Sequence, residues 1–103
     1  MSKLSLIAKW DAADGKADEL ESAIRGVIDA AAEEDGLEVY SAHRVDGETD
    51  TYYFFEVYRD QAAWDVHGKG DRMRDAMGAF AGLLAGAPEI TVMSPVAAKG
   101  IAV

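Results

Sequence analysis

From Lys3 to Trp10 apolar and other side chains alternate, with Leu4, Leu6, Ala8 and Trp10 set against Ser5, Ile7 and Lys9, and this period of two predicts a strand. Asp11 to Gly15 is the expected turn. The period then changes: Ala17, Leu20, Ile24, Val27, Ile28 and Ala31 recur at helical spacing between Lys16 and Glu34. Asp14 or Gly15 is the expected cap of that helix, and Asp18, Glu19 and Glu21 fall near the positive end of its dipole. Asp35-Gly36 should stop it, with glycine in a left-handed C-terminal position.

Leu37 to Val45 predicts a second strand, and Asp46-Gly47-Glu48-Thr49-Asp50 a hairpin loop into a third, Thr51 to Arg59, antiparallel to the second. In the third strand nearly every side chain is apolar or aromatic, so both of its faces call for cover. Asp60 is the expected cap of a short helix, Gln61 to His67, which Gly68-Lys69-Gly70 breaks. Another helix is expected from Asp71 to about Ala85, with Met73, Ala76, Met77, Phe80 and Leu84 as its buried stripe, ended by Gly86-Ala87-Pro88. Glu89 to Ser94 predicts a fourth strand, and Val96 to Val103 is apolar enough to pack, across a partner for example.

Strand, helix, strand, strand, helix, strand is the split βαβ plan (βαββαβ) of the ferredoxin-like α+β fold, with a four-stranded antiparallel sheet. Helices can cover one face of that sheet. The other face keeps Ile, Val and aromatic residues that a chain of 103 residues has little left to cover. Two sheets packed face to face, a dimeric α+β barrel, would resolve this, so a homodimer is expected.

The length fits one domain, residues 1–103, with no repeat or linker to divide it. There is no Cys, which excludes disulfides, thiolate nucleophiles and thiolate metal sites. Ten Lys plus Arg against nineteen Asp plus Glu leave a net charge of -9, which disfavours nucleic acid and anionic lipid as partners. The acidic residues fall mostly on the outer face of the first helix and in loops, as solubility requires. Met1 to Trp10 lacks the apolar core of a signal peptide and no segment is long enough to span a membrane, so a soluble cytoplasmic protein is expected.

His67 is the strongest candidate for proton transfer, because imidazole exchanges a proton near neutral pH; the alternative is a His that caps helix carbonyls or packs in the core. His43, on a strand with Ser41, reads as a solvated or interface residue. Glu56 lies among aromatic residues and needs a partner if buried, with Arg44 and Arg59 as candidates for a structural salt bridge. Tyr40, Tyr53, Phe55, Trp64, Met73, Met77 and Phe80 could wall a flat apolar pocket for an aromatic ligand, or be ordinary core. Alternation places Tyr53 and Phe55 opposite Tyr52, Phe54, Glu56 and Tyr58, and leaves open which face meets the helices. No metal site is expected, since His67 and His43 have no Cys or evident carboxylate spacing around them.

Phe55-Glu56-Val57-Tyr58-Arg59-Asp60, followed by Ala62-Ala63 and His67, resembles the antibiotic biosynthesis monooxygenase family. Its pattern there is an aromatic or aliphatic residue, Glu, any residue, an aromatic, a basic residue, Asp, a helical turn with alanines, then His. Gly36-Leu37-Glu38-Val39-Tyr40 is similar to a second landmark, a glycine turn entering a strand with Tyr. The resemblance implies the dimeric barrel and one of several activities, because a family is not an activity. Some members oxidise quinols or anthrones with O2 and no metal or flavin, others degrade haem, and some isomerise or bind a small phosphorylated signal molecule.

The chain has no Asn, and Met77 stands where the haem-degrading branch has its His, so haem degradation is not expected. Arg72 stands where the signal-molecule branch has its second His. The resemblance implies a cofactor-independent monooxygenase that oxidises a small electron-rich aromatic, with His67 as base; the Asn that holds oxygen in some relatives is missing here too, so that role would need Arg44, Tyr40 or Trp64. The alternative is a non-catalytic or isomerase-type dimer binding a small metabolite in the same pocket.

Overall fold

Alternating burial along the strands decides which side of the sheet becomes the core. The computed structural model describes residues 3–69 and 78–102. Its elements are β1 (Leu4–Asp11), α1 (Ala17–Ala30), β2 (Leu37–Arg44), β3 (Thr51–Tyr58), α2 (Gln61–Lys69) and β4 (Glu89–Met93). The four strands form one antiparallel sheet in the order β2-β3-β1-β4, the ferredoxin-like arrangement in which each helix connects strands that are not consecutive neighbours.

Leu6, Ala8 and Trp10 of β1 and Tyr52 and Phe54 of β3 pack with Leu20 and Ile24 of α1 and with Phe80 in one buried cluster. The even-numbered residues of β1 and β3 therefore face the helices. The odd face stays partly open: Ile7 is 36% exposed and Tyr53 38%, whereas Val57 and its cross-strand neighbour Ser5 are buried.

β2 keeps its side chains in step with this division through a bulge. Leu37 lies opposite Tyr58 and Val39 opposite Val57, so that Glu38 is the extra residue. Tyr40, Ala42 and Arg44 then lie opposite Glu56, Phe54 and Tyr52 on the helix face, while Ser41 and His43 share the odd face. The bulge shifts the phase of the alternation once, so that Leu37 before it and Tyr40, Ala42 and Arg44 after it all share the helix face.

The hairpin between β2 and β3 turns at Gly47, whose φ of 83° is left-handed, and Asp60 caps α2 by accepting the Ala63 N–H at 2.9 Å. Two expectations about helix ends are corrected. Lys16, not Asp14 or Gly15, occupies the N-cap of α1 and makes no side-chain capping bond. Helical residues near the end of the expected last helix stop at Ala79, and the turn from Phe80 uses Gly82 with φ 79°. The rest of that helix, with Met73 and Met77, lies outside the described residues.

Gly36 is also corrected. α1 ends at Ala30, several residues earlier than expected, and Gly36 is not left-handed. Glycine is required there for a close approach: a Cβ on Gly36 would overlap the Cβ of Ala63 in α2 and stand 3.4 Å from its Cα. The Gly36 carbonyl also accepts the Arg59 N–H at 2.8 Å, which ties the loop to the end of β3. Gly36→Ala should cost about 1–3 kcal/mol by overpacking, read from urea unfolding. Adding Ala63→Gly, itself costing about 1 kcal/mol in a helix, should give a double variant clearly less destabilised than the sum of the singles. Strict additivity would mean that the two positions are not in contact.

Candidate functional site

His67 sits four residues after Ala63 on α2, so the two side chains lie on the same face one turn apart. The close contact of Ala63 with Gly36 therefore brings His67 against Glu34, two residues before Gly36. Glu34 is held at both ends, its N–H bonding to the Ala31 carbonyl at 3.0 Å and its carbonyl accepting the Leu37 N–H at 3.1 Å. The Glu34 carboxylate reaches the His67 ring, with Oε2 2.6 Å from Nδ1. His67 is only 7% exposed, and its other nitrogen, Nε2, is buried without a hydrogen-bond partner among the described residues.

Two tyrosines of the sheet pack on the same ring. Tyr40 of β2 meets His67 edge-on at 5.5 Å between ring centres, and Tyr58 of β3 lies 5.6 Å away, tilted. Tyr58 donates its hydroxyl to Glu56, two residues back on the same face. Burial pushes the pKa of both phenols well above the ordinary tyrosine value, and the Glu56 carboxylate pushes it further, so each is a neutral hydroxyl at physiological pH. The seam continues away from His67: Tyr40 lies 5.5 Å from Phe54, Phe54 stacks on Trp10 at 4.7 Å, and Trp10 meets Phe80 edge-on at 4.4 Å. Trp10 Nε1 is a second buried polar atom without a partner. One unpaired donor and one ring nitrogen thus lie along a single aromatic seam, and unpaired buried polar groups call for an explanation.

The expected site residues divide. His67, Tyr40, Trp64 and Phe80 all lie on the helix side of the sheet, Trp64 sharing a face of α2 with His67 and packing partly buried on the core. Tyr53 and Phe55 do not join them, because strand alternation puts both on the odd face, opposite Lys9 and Ile7. Arg44 does not join them either. It lies four residues along β2 from Tyr40, about 13 Å at 3.3 Å per residue, and pairs there with Glu21 of α1, Nε to Oε2 at 2.9 Å. The Tyr52 hydroxyl donates to the same oxygen at 2.7 Å, and these bonds hold the Glu21 carboxyl below its ordinary range. Glu21, Arg44 and Tyr52, with Ile24, Ile28 and Ala42, line a groove of about 420 Å³ at that end of the molecule.

The expected ion pair of Glu56 with Arg44 or Arg59 is also absent, since Arg59 pairs with Asp60 at 3.7 Å and the partner of Glu56 is the Tyr58 hydroxyl. His43 is exposed and shares a hydrogen bond with Ser41 at 2.9 Å, as its strand position suggested. Sequence reasoning passed over Glu34 and Trp10. Glu34 read as one of a run of loop acids and Trp10 as ordinary core, and neither carries a local signal of its partner or lack of one. Among the described residues no three His, Cys, Asp or Glu side chains converge as a metal-binding group, and no helix is long and apolar enough to cross a membrane.

Burial pushes the Glu56 carboxyl above its ordinary value; the Tyr58 hydroxyl and positive charge on His67 pull it down in part, and Glu34 adds to the rise. The folded protein therefore holds the Glu56 proton more tightly than the unfolded chain does. Its contribution to stability is complete below the ordinary carboxyl range and is lost as pH rises through the folded value. Glu56→Gln cannot titrate, so it should melt a few degrees above wild type at about pH 8, with the gap closing near pH 4. A gap that instead widens on acidification would mean that Glu56 is held ionised in the folded protein.

Three solved structures resemble this one over nearly their whole length. A protein from Pseudomonas aeruginosa is 27% identical with a TM-score of 0.85, the match covering 94% of this chain and 97% of that one. A candidate antibiotic biosynthesis monooxygenase from Caulobacter crescentus is 28% identical with a TM-score of 0.87, covering 93% and 92%. A Nitrosomonas europaea protein of unknown function is 26% identical with a TM-score of 0.86, covering 99% and 97%. No curated protein matches the chain in sequence. The sequence model of the antibiotic biosynthesis monooxygenase family matches residues 4–79, most of the chain, including both carboxylates and the histidine of the buried cluster. This chain belongs to the antibiotic biosynthesis monooxygenase family.

Proposed function

We propose that the protein is a cofactor-independent monooxygenase that oxidises a small electron-rich aromatic, of the quinol, anthrone or polyketide-like class, with His67 as the base. The observation that carries this reading is the unpaired Nε2 of a buried His67 at one end of an aromatic seam. Family membership and the monooxygenase-named relative support the general class of reaction. A flat aromatic substrate suits walls made by Tyr40, Trp64 and Phe80, and the Trp10 N–H is a donor for an oxygen on that substrate, the role that Asn takes in relatives.

For an anthrone-type methylene the balance is as follows. Nε2 removes a C–H proton, and the resulting anion gives one electron to O2. The two radicals join to form a C–O bond, and the proton returns to make a hydroperoxide. Loss of the second C–H proton breaks the O–O bond, leaving a carbonyl on the substrate and the other oxygen as water. The substrate supplies every electron, so the scheme calls for no flavin or metal. Burial of the site keeps the anion from being reprotonated by solvent.

The same reading includes a homodimer joined through the odd face of the sheet, where Ile7 and Tyr53 stand exposed beside Phe55. Sedimentation should give twice the chain mass for wild type, and Tyr53→Glu should shift it to monomer; a wild-type monomer would remove the barrel.

Oxygen uptake by metal-stripped protein, measured against a panel of anthrones and quinols, tests the activity. His67→Ala should lose about 10²-fold or more of the rate, as expected for a lost general base. Trp10→Phe should weaken substrate binding while the fold holds. Uptake that is absent, or equal in wild type and His67→Ala, would favour the alternative, a dimer that binds or isomerises a small metabolite without O2.

A further inference from the structure

We propose that Glu34 is the positioning residue for His67, locking the ring as the Nδ1–H tautomer so that the bare Nε2 is the nitrogen that takes a proton in the site. This rests on the reading of His67 as a base. The geometric ground is separate from it: Oε2 of Glu34 stands 2.6 Å from Nδ1, while Nε2 is buried without a hydrogen-bond partner among the described residues.

A neutral imidazole has one N–H and one lone pair, and an ionised carboxylate can only accept. The nitrogen that faces Glu34 therefore carries the proton, and Nε2 carries the lone pair. Free in water, the ring has no such constraint and its two nitrogens exchange roles. When Nε2 takes a proton, the new imidazolium lies against the Glu34 charge, so the acceptor is stabilised at the moment it becomes cationic. No other described group competes for either nitrogen. The ring is faced by Tyr40 from β2 and by Tyr58 from β3; the Tyr58 hydroxyl is committed to Glu56, and Tyr40 presents its ring edge-on.

The chain builds this placement with four residues. Gly36 admits Ala63, and the i to i+4 spacing from Ala63 to His67 matches the two-residue step from Gly36 back to Glu34. Glu34 is partly exposed, its side chain retaining 18% of its surface, and the His67 side chain retains 6%. The carboxylate thus keeps some contact with water, while the base it orients is dry. A carboxylate placed only to offset a buried charge would have no reason to leave the opposite nitrogen empty.

The test is ¹⁵N NMR of protein labelled at histidine, recorded at about pH 9, above the ordinary imidazole range. Only two histidines contribute, and His43→Gln identifies the His67 signals. The wild-type spectrum should show Nδ1 as the protonated nitrogen and Nε2 as the bare one. Glu34→Ala should let the Nε2–H tautomer appear. Glu34→Gln, whose amide oxygen can still accept from Nδ1, should restore the Nδ1–H tautomer while lacking the charge. With an anthrone as the probe substrate, Glu34→Ala should lower kcat about 10²-fold with little change in KM, and Glu34→Gln should recover part of that loss.

Nε2 protonated in wild type, or a tautomer indifferent to Glu34→Ala, would overturn the assignment. The wild-type spectrum decides this even if a variant fails to fold. Oxygen uptake that survives His67→Ala would sink the reading of His67 as the base instead, and the spectrum would still decide what Glu34 does.

Discussion

The approach of α2 to the loop after α1 is the contact on which the candidate site depends. It is possible because position 36 has no side chain where Ala63 arrives, and the Arg59 N–H bond to Gly36 anchors the same loop to the sheet. Every spacing around His67 follows from it. Moving α2 outward by the width of one methyl group would pull His67 from Glu34, since the 2.6 Å contact would then lie beyond hydrogen-bonding distance. A loop glycine thereby sets the position of the His67 ring.

The two faces of the sheet carry different kinds of constraint. On the helix face, Trp10, Phe54 and Phe80 interlock with α1 residues and supply most of the packing. The polar groups set into that face are few, and each has an environment that shifts its chemistry. Burial pushes the Glu56 carboxyl above its ordinary value and Tyr58 donates to it, Tyr40 and Tyr58 are kept neutral, and His67 has one nitrogen engaged. The opposite face holds Ile7 and Tyr53 in contact with solvent beside the buried Val57 and Ser5. A surface of this kind is stable in water only at small area, which is the physical reason to expect a second copy upon it.

The fold was legible because its signals are local. Strand alternation, the helical stripe of α1, the Gly47 hairpin and the Asp60 cap each depend on residues close in sequence, and all four reappear in the structure. The site was only half legible. His67 stands out by its chemistry, and Tyr40 and Trp64 by their aromatic character. Glu34 looks like any acid in the run from Glu33 to Asp35, and only its meeting with a residue 33 positions later separates it from them. Arg44 and Glu56 looked like partners because they lie on neighbouring strands, yet Glu21 from α1 takes the arginine.

By itself the sequence determined the order and kind of the described elements, the exclusion of thiol chemistry, and His67 as the candidate for proton transfer. It left the sheet without a marked inside, because alternation defines two faces but not which of them helices cover. The tertiary structure decided that Tyr53 and Phe55 lie away from His67 and that Gly36 serves a close approach instead of a helix cap. It also decided which carboxylate meets the imidazole. Those outcomes depend on pairs of residues brought together across the chain, and a distance between such residues is set by the packing of whole elements, not by any period within one.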